Sequence, residues 1–186
     1  MKRKLNTNIL SLLYAALGAA LMAVSSMISI PIVIPITLQT LALYILLFFF
    51  GGKIGTLAAT IYVAIGAVGL PVFSGFGGGV GRLFDASGGF IFGFIFAAAV
   101  FWLMSTVLGS APRAKILSGV ASLLVLYLVG TLWYSLVYLG GGGFFAVISA
   151  CVLPFIIPDA VKMFFAYAIS SRLGRIIPDK TKSNES

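Results

Sequence analysis

The sequence predicts an all-α integral membrane protein: a compact bundle of six transmembrane helices with loops folded over an outward-facing pocket. Three observations predict it. Of 186 residues, 61% are hydrophobic and 9% charged, with a mean hydropathy of +1.16; a soluble domain would carry about 25% charged residues. The apolar residues gather in runs that allow roughly six spans of about 20 residues each. The charges are segregated, twelve Lys and Arg against four Asp and Glu, and the basic ones cluster at the ends of the runs, as topology signals do. In a soluble chain a formal charge of +8 would suggest nucleic acid. At span ends it argues for a lipid bilayer and against a nucleic-acid partner. The chain reads as a single membrane domain, 1–186, with a cytoplasmic N-terminus at 1–8 and a polar cytoplasmic tail at 175–186.

The first span, about Ile9 to Ile28, follows Met-Lys-Arg-Lys and imitates a signal peptide. It is too long for a typical cleaved apolar core, and more spans follow it. Ala15, Ala19 and Ala23, with Ala16 and Ala20 beside them, repeat a small-xxx-small pattern that lets another helix approach closely. The residues alone leave an inner and an outer partner equally open. Ile30 to Thr40 holds two prolines among alternating β-branched residues, which argues against a helix. So apolar an irregular segment persists near a membrane where protein or a cavity covers it. A loop folded back into the bundle is predicted, with Thr37 and Gln39 as its polar tips.

A second span, about Leu41 to Phe50, ends at Gly51-Gly52-Lys53, and a third runs from Ile54 to about Gly69. The glycine-rich segment Gly69 to Gly89 follows. It contains neither Gly-Lys-Ser/Thr nor the G-x-G-x-x-G spacing, so it is no phosphate loop. Its glycines permit tight turns and close backbone approach to a ligand. Phe73, Phe76 and Phe84 argue against a solvated linker, which carries few aromatics. Arg82 and Asp85 add two charges at i, i+3. The fourth span, about Phe90 to Leu108, is closed by Pro112-Arg113-Ala114-Lys115. The fifth, about Ile116 to Leu139, carries Tyr127, Trp133, Tyr134 and Tyr138 as candidates for an interfacial belt. Gly140 to Gly143 turn the chain, Phe144 to Leu153 form a short re-entrant piece, and the sixth span runs from about Pro158 to Ser171.

Pro154 to Lys162 organises the rest. Asp159 and Lys162 stand three residues apart, on one face of a helix that starts or breaks at Pro158. Charges at membrane depth cost about 2.5–3.5 kcal/mol each by insertion scales, so they are usually paired and usually functional. With a cytoplasmic N-terminus and six spans, ten of the twelve basic residues lie inside. The exceptions, Arg82 and Lys162, fall on the outer side with Thr37 and Gln39. Three connections unsuited to simple looping therefore converge there. Their inventory suits a small, partly apolar molecule bearing a carboxylate and amide-like groups. Lys162, helped by Arg82, would hold the carboxylate, and Asp159 would accept hydrogen bonds from ligand N–H groups. Catalysis is poorly served: the chain has no His, no Gly-x-Ser-x-Gly, no metal-ligand cluster and no ATP-binding motif. The readings are a transport component for a small solute, a membrane assembly protein whose ion pair fixes packing, and, third, a membrane enzyme.

Gly69-Leu70-Pro71-Val72-Phe73 with the following glycine run and Gly88-Gly89-Phe90 resembles the BioY family. These are biotin-uptake substrate-binding (S) components of energy-coupling factor (ECF) transporters. Ile36-Thr37-Leu38-Gln39-Thr40-Leu41 is similar to the family's first outer loop, and Pro154-Phe155 through Asp159-Ala160-Val161-Lys162 to its last signature. The chain departs from the pattern at Asp85-Ala86-Ser87-Gly88-Gly89-Phe90, where the family usually has Gly-Pro-Thr-Gly-Gly-Tyr, and at Ile157-Pro158, where it usually has Pro-Gly. The resemblance implies high-affinity capture of biotin, with a substrate site drawn from Thr37, Gln39, Phe73, Gly75, Arg82, Asp85, Ser87, Asp159 and Lys162. It implies no metal and no cofactor in this chain. The partners would be a transmembrane coupling protein, docking on Ala15, Ala19 and Ala23, and two ABC-type ATPases that use the ATP. The setting would be the plasma membrane, multi-pass, with both termini cytoplasmic. The alternative is an S component for another vitamin.

Overall fold

The computed structural model describes residues 7–32, 34–138 and 144–176. The basic N-terminus, residue 33, residues 139–143, where a turn is expected at Gly140 to Gly143, and the tail from 177 lie outside them. The order is α1 (Thr7–Met27), a short hairpin of β1 (Ser29–Ile30) and β2 (Ile36–Thr37), α2 (Gln39–Phe50) and α3 (Gly52–Ala67). A single 3-10 turn at Ser74–Phe76 and α4 (Val80–Leu83) precede α5 (Gly88–Leu108). Then come α6 (Pro112–Trp133), continued as one widened turn to Tyr138, α7 (Phe144–Cys151) and α8 (Leu153–Ile176).

Among the described residues, four helical stretches are long and apolar enough to cross a bilayer: Asn8–Met27, Gly88–Leu108, Pro112–Val137 and Val147–Gly174. This is a multi-pass membrane protein. The two other helices of the expected six, α2 and α3, have 12 and 16 residues. They rise about 18 and 24 Å, short of a hydrocarbon core of about 30 Å. Eight of the twelve residues of α2 are buried, so its shortness faces protein rather than lipid.

Two prolines sit differently from expectation. Pro112 opens α6 rather than closing the preceding span, because proline at the first helical position forfeits an N–H that has no partner anyway. Pro158 lies inside α8, which already starts at Leu153. The break comes earlier, at Val152, whose N–H bonds Ile148 O while its carbonyl accepts from Phe155 N.

Glycines set the helix spacing. A Cβ on Gly89 would lie 2.2 Å from Trp133 Cβ, and one on Gly130 2.5 Å from the Phe90 ring, so α5 and α6 touch backbone to side chain. α1 packs on α3, closely at Gly18, where a Cβ would come 2.9 Å from Ala58 Cβ, and Ala15 and Ala19 beside it are buried. The docking expectation for that stripe is thereby corrected. Ala15 and Ala19 close an internal contact and Ala23 packs against the core, while Ala16 and Ala20, one position on, face outward. At the end away from the loops, Phe48 meets Phe101 and Tyr167 edge-on, both at 5.6 Å.

Candidate functional site

At the loop end, the returning hairpin and the glycine-rich segment roof a cavity between α2, α3, α5, α6 and α8. Its empty space, open mouth included, is about 580 Å³. Ile34, Phe90, Ile91, Phe94, Leu126 and Phe155 give it apolar walls. Two polar groups break them, besides Ser74 and Ser87 of the glycine-rich segment.

The first lies on α8. Lys162 Nζ donates to Asp159 Oδ1 at 2.8 Å, and the Tyr127 hydroxyl on α6 donates to Asp159 Oδ2 at 3.0 Å. Lys162 is 9% exposed and Asp159 2%, so the pair is formed out of water. The i, i+3 spacing places both groups on one helix face, and Tyr127 reaches the remaining carboxylate oxygen from across the cavity. Tyr127 and Tyr134 are buried and belong to no interfacial belt; the Tyr138 side chain lies outside the described residues.

The second lies where the hairpin joins α2. Thr37 Oγ1 donates to Gln39 Oε1 at 3.0 Å, and Gln39 Nε2 donates to the Tyr62 hydroxyl of α3. The expected fold-back of this loop is seen: Ile34, Thr37 and Gln39 are buried while Ile30 and Ile32 stay outside.

Of the nine residues expected in the site, Thr37, Gln39, Phe73, Ser87, Asp159 and Lys162 line the cavity. Gly75, Arg82 and Asp85 do not line it. Arg82 Nη1 is committed to Asp85 Oδ2 at 2.6 Å, and Nη2 donates to Ser74 O at 3.2 Å. Asp85 also accepts from the Ala86 N–H. The two charges brace the glycine-rich loop from behind. Phe73 is 1% exposed, its ring against Gly66, whereas Phe76 and Phe84 are 72% and 62% exposed. The sequence reading missed Tyr62, Phe90, Phe94 and Tyr127 as lining residues. Each sits on a long apolar helix, where nothing local separates a cavity aromatic from a core one. Among the described residues no group of three or more His, Cys, Asp or Glu could hold a metal ion.

This cavity geometry sits in a chain whose residues 1–179 match the BioY family. The chain belongs to the BioY family. A protein named probable biotin transporter BioY from Pyrococcus horikoshii is 37% identical over 140 residues, spanning 74% of this BioY chain and 79% of its own length. The biotin transporter BioY of Thermotoga maritima is 36% identical, spanning 75% and 80%. Among solved structures, the crystal structure of an S-component for biotin from an ECF-type ABC transporter superposes with a TM-score of 0.80. That match covers 94% of this chain and 95% of that one at 24% identity. The S component of another bacterial ECF transporter gives 0.63 at 17% identity. At such identities the likeness is one of fold, and the BioY chain has the S-component fold.

Proposed function

We propose that this BioY chain captures biotin at the outer face of a cell membrane and serves as the S component of an ATP-driven ECF-type transporter. The observation that carries the reading is the buried Lys162–Asp159–Tyr127 group on the wall of a mostly apolar cavity. Lys162 Nζ and Asp159 Oδ1 are only 2.8 Å apart, so one end of an extended ligand meets both. A ligand carboxylate there would crowd the Asp159 carboxylate around one ammonium. A cyclic urea would not, because its carbonyl accepts from Lys162 while the adjacent N–H donates to Asp159. We therefore reassign Lys162 from the ligand carboxylate to the ureido oxygen. The apolar chain would lie along Phe90, Phe94 and Phe155. The carboxylate would point toward Ser74 and Ser87, with Arg82 standing behind Ser74.

The partners would be a transmembrane coupling protein and two ABC-type ATPases. The outward face of α1, with Ala16 and Ala20 recessed among Leu12, Leu13, Leu17 and Leu21, suits close helix–helix approach. The setting would be the plasma membrane with both termini cytoplasmic. Lys53, Arg113, Lys115 and Arg172 stand at helix ends away from the cavity, as the positive-inside rule requires of a cavity that faces out.

Calorimetric titration of biotin into the detergent-purified chain tests the reading. Tight binding at one site per monomer supports it. Heat with a different vitamin but not with biotin would replace the substrate, and no binding by folded protein would overturn the capture role.

A further inference from the structure

One backbone carbonyl joins the cavity roof to the helices. Val72 O, in the glycine-rich loop, accepts from the Tyr62 hydroxyl of α3 at 3.1 Å and lies 2.6 Å from Ser26 Oγ near the end of α1, whose single proton is shared between Val72 O and Ala23 O, also at 2.6 Å. The same Tyr62 hydroxyl accepts from Gln39 Nε2, whose Oε1 is held by Thr37. Tyr62 therefore bonds both roof segments, the returning hairpin through Gln39 and the glycine-rich loop through Val72. Its ring meets Phe73 edge-on at 5.5 Å, so the residue after Val72 is aimed into the cavity wall by the same contact. Tyr62 and Ser26 are fully buried, and Tyr62 lines the cavity while Ser26 does not. A buried hydroxyl that both donates and accepts cannot be silently replaced, because its loss leaves the Gln39 amide without this acceptor and Val72 O with Ser26 alone.

We propose that Tyr62 and Ser26 form a clasp that holds the two roof segments together over the cavity and sets how slowly a bound ligand leaves. Tyr62 is then a positioning residue: it acts through Gln39 and Val72 rather than through the ligand. The kinetic part rests on the biotin-capture reading; the structural part does not.

The test compares Tyr62→Phe, Ser26→Ala and the double variant in the full chain by stopped-flow biotin dissociation and association. It adds hydrogen–deuterium exchange of the amides between Val72 and Gly79 without ligand. Tyr62→Phe is expected to speed dissociation about tenfold, the size of one lost buried hydrogen bond, with association changed less than dissociation. Ser26→Ala should move dissociation the same way by a smaller factor. Both should speed exchange in the loop, and the double variant should fall short of the product of the singles because they share one acceptor. Faster dissociation in Tyr62→Phe with no effect of Ser26→Ala would mean that Tyr62 acts on the ligand directly, and would overturn the clasp. Unchanged loop exchange in both variants would overturn it too. If the wild type binds no biotin, the capture reading fails and the exchange data still decide whether the clasp exists.

Discussion

Replacing Lys162 by Met is the most informative single change, because it separates a binding charge from a packing charge. The substitution keeps most of the apolar stem and removes the ammonium 2.8 Å from Asp159. Asp159, 2% exposed, keeps the Tyr127 hydroxyl as its remaining side-chain donor. Breaking a buried pair by removing one partner costs about 3–5 kcal/mol. At about 2–4 °C per kcal/mol for a chain of this size, the melting temperature should fall by about 6–20 °C. Biotin affinity should fall as well. Truncating one member of a desolvated charge pair in a binding site costs about 2–5 kcal/mol, or roughly 30-fold to several thousand-fold in Kd.

A single variant confounds the two losses, and a triple variant separates them. Asp159→Leu and Tyr127→Phe added to Lys162→Met remove the stranded carboxylate and then the hydroxyl that loses its acceptor. Exchange of a buried ion pair for apolar groups of similar volume is often neutral or stabilising. The melting temperature should therefore return to within a few degrees of wild type while biotin binding stays lost. Thermal unfolding in detergent and calorimetry on the same preparations measure both. Recovery of binding together with stability would refute the argument, because the pair would then be packing glue. Loss of binding without loss of stability in Lys162→Met alone would refute the burial argument instead.

Other positions give sharper geometric checks. Gly66→Ala places a Cβ 2.1 Å from Phe73 Cζ, so the Phe73 ring must leave its seat. Overpacking of about 1–3 kcal/mol is expected, with biotin affinity reduced at least tenfold in a calorimetric titration. Ala16→Trp should leave thermal stability and biotin binding near wild type but reduce co-purification with a coupling protein. Ala19→Trp, at a position 1% exposed, should instead lower the melting temperature. The opposite pattern would return the docking face to the Ala15–Ala19 stripe. Gly89→Val drives a side chain into Trp133, where a Cβ alone would sit 2.2 Å away, and should destabilise the α5–α6 contact beyond recovery by biotin in a thermal shift.

The expectations that held and those that failed divide along a physical line. Features that cost free energy unless something compensates them were legible. Two charges in apolar sequence demand a partner, and Asp159 and Lys162 found one another. A proline-broken apolar loop demands cover, and residues 34–40 are folded inward. What the sequence left undecided was direction about a helix axis. Ala15, Ala19 and Ala23 form one stripe and Ala16 and Ala20 the next, turned by one residue. In a membrane both faces of α1 are apolar, because lipid and protein interior look alike to a side chain. Hydrophobic patterning, which orients a soluble helix, carries little contrast here, and the inner stripe passed for the outer one.

The same lack of contrast explains Tyr62 and Tyr127, and it explains Arg82 in the other direction. A charge on a loop has alternatives that a charge at membrane depth lacks. Arg82 found local partners for Nη1 and Nη2 in Asp85 and Ser74 O, its buried Nε having none, because at i, i+3 in a tight glycine-rich loop Asp85 is close at hand. The rule that an intramembrane charge is a functional candidate therefore applies to Lys162 and not to Arg82. The difference lies in burial: the Lys162 side chain is 10% exposed and that of Arg82 32%. A half-solvated ion pair can be spared with little effect on stability. Arg82 remains available to a ligand carboxylate only at the expense of its brace on the loop. Arg82→Gln should on this argument alter the ordering of the loop, read as faster amide exchange from Ser74 to Asp85, before it alters the affinity for biotin.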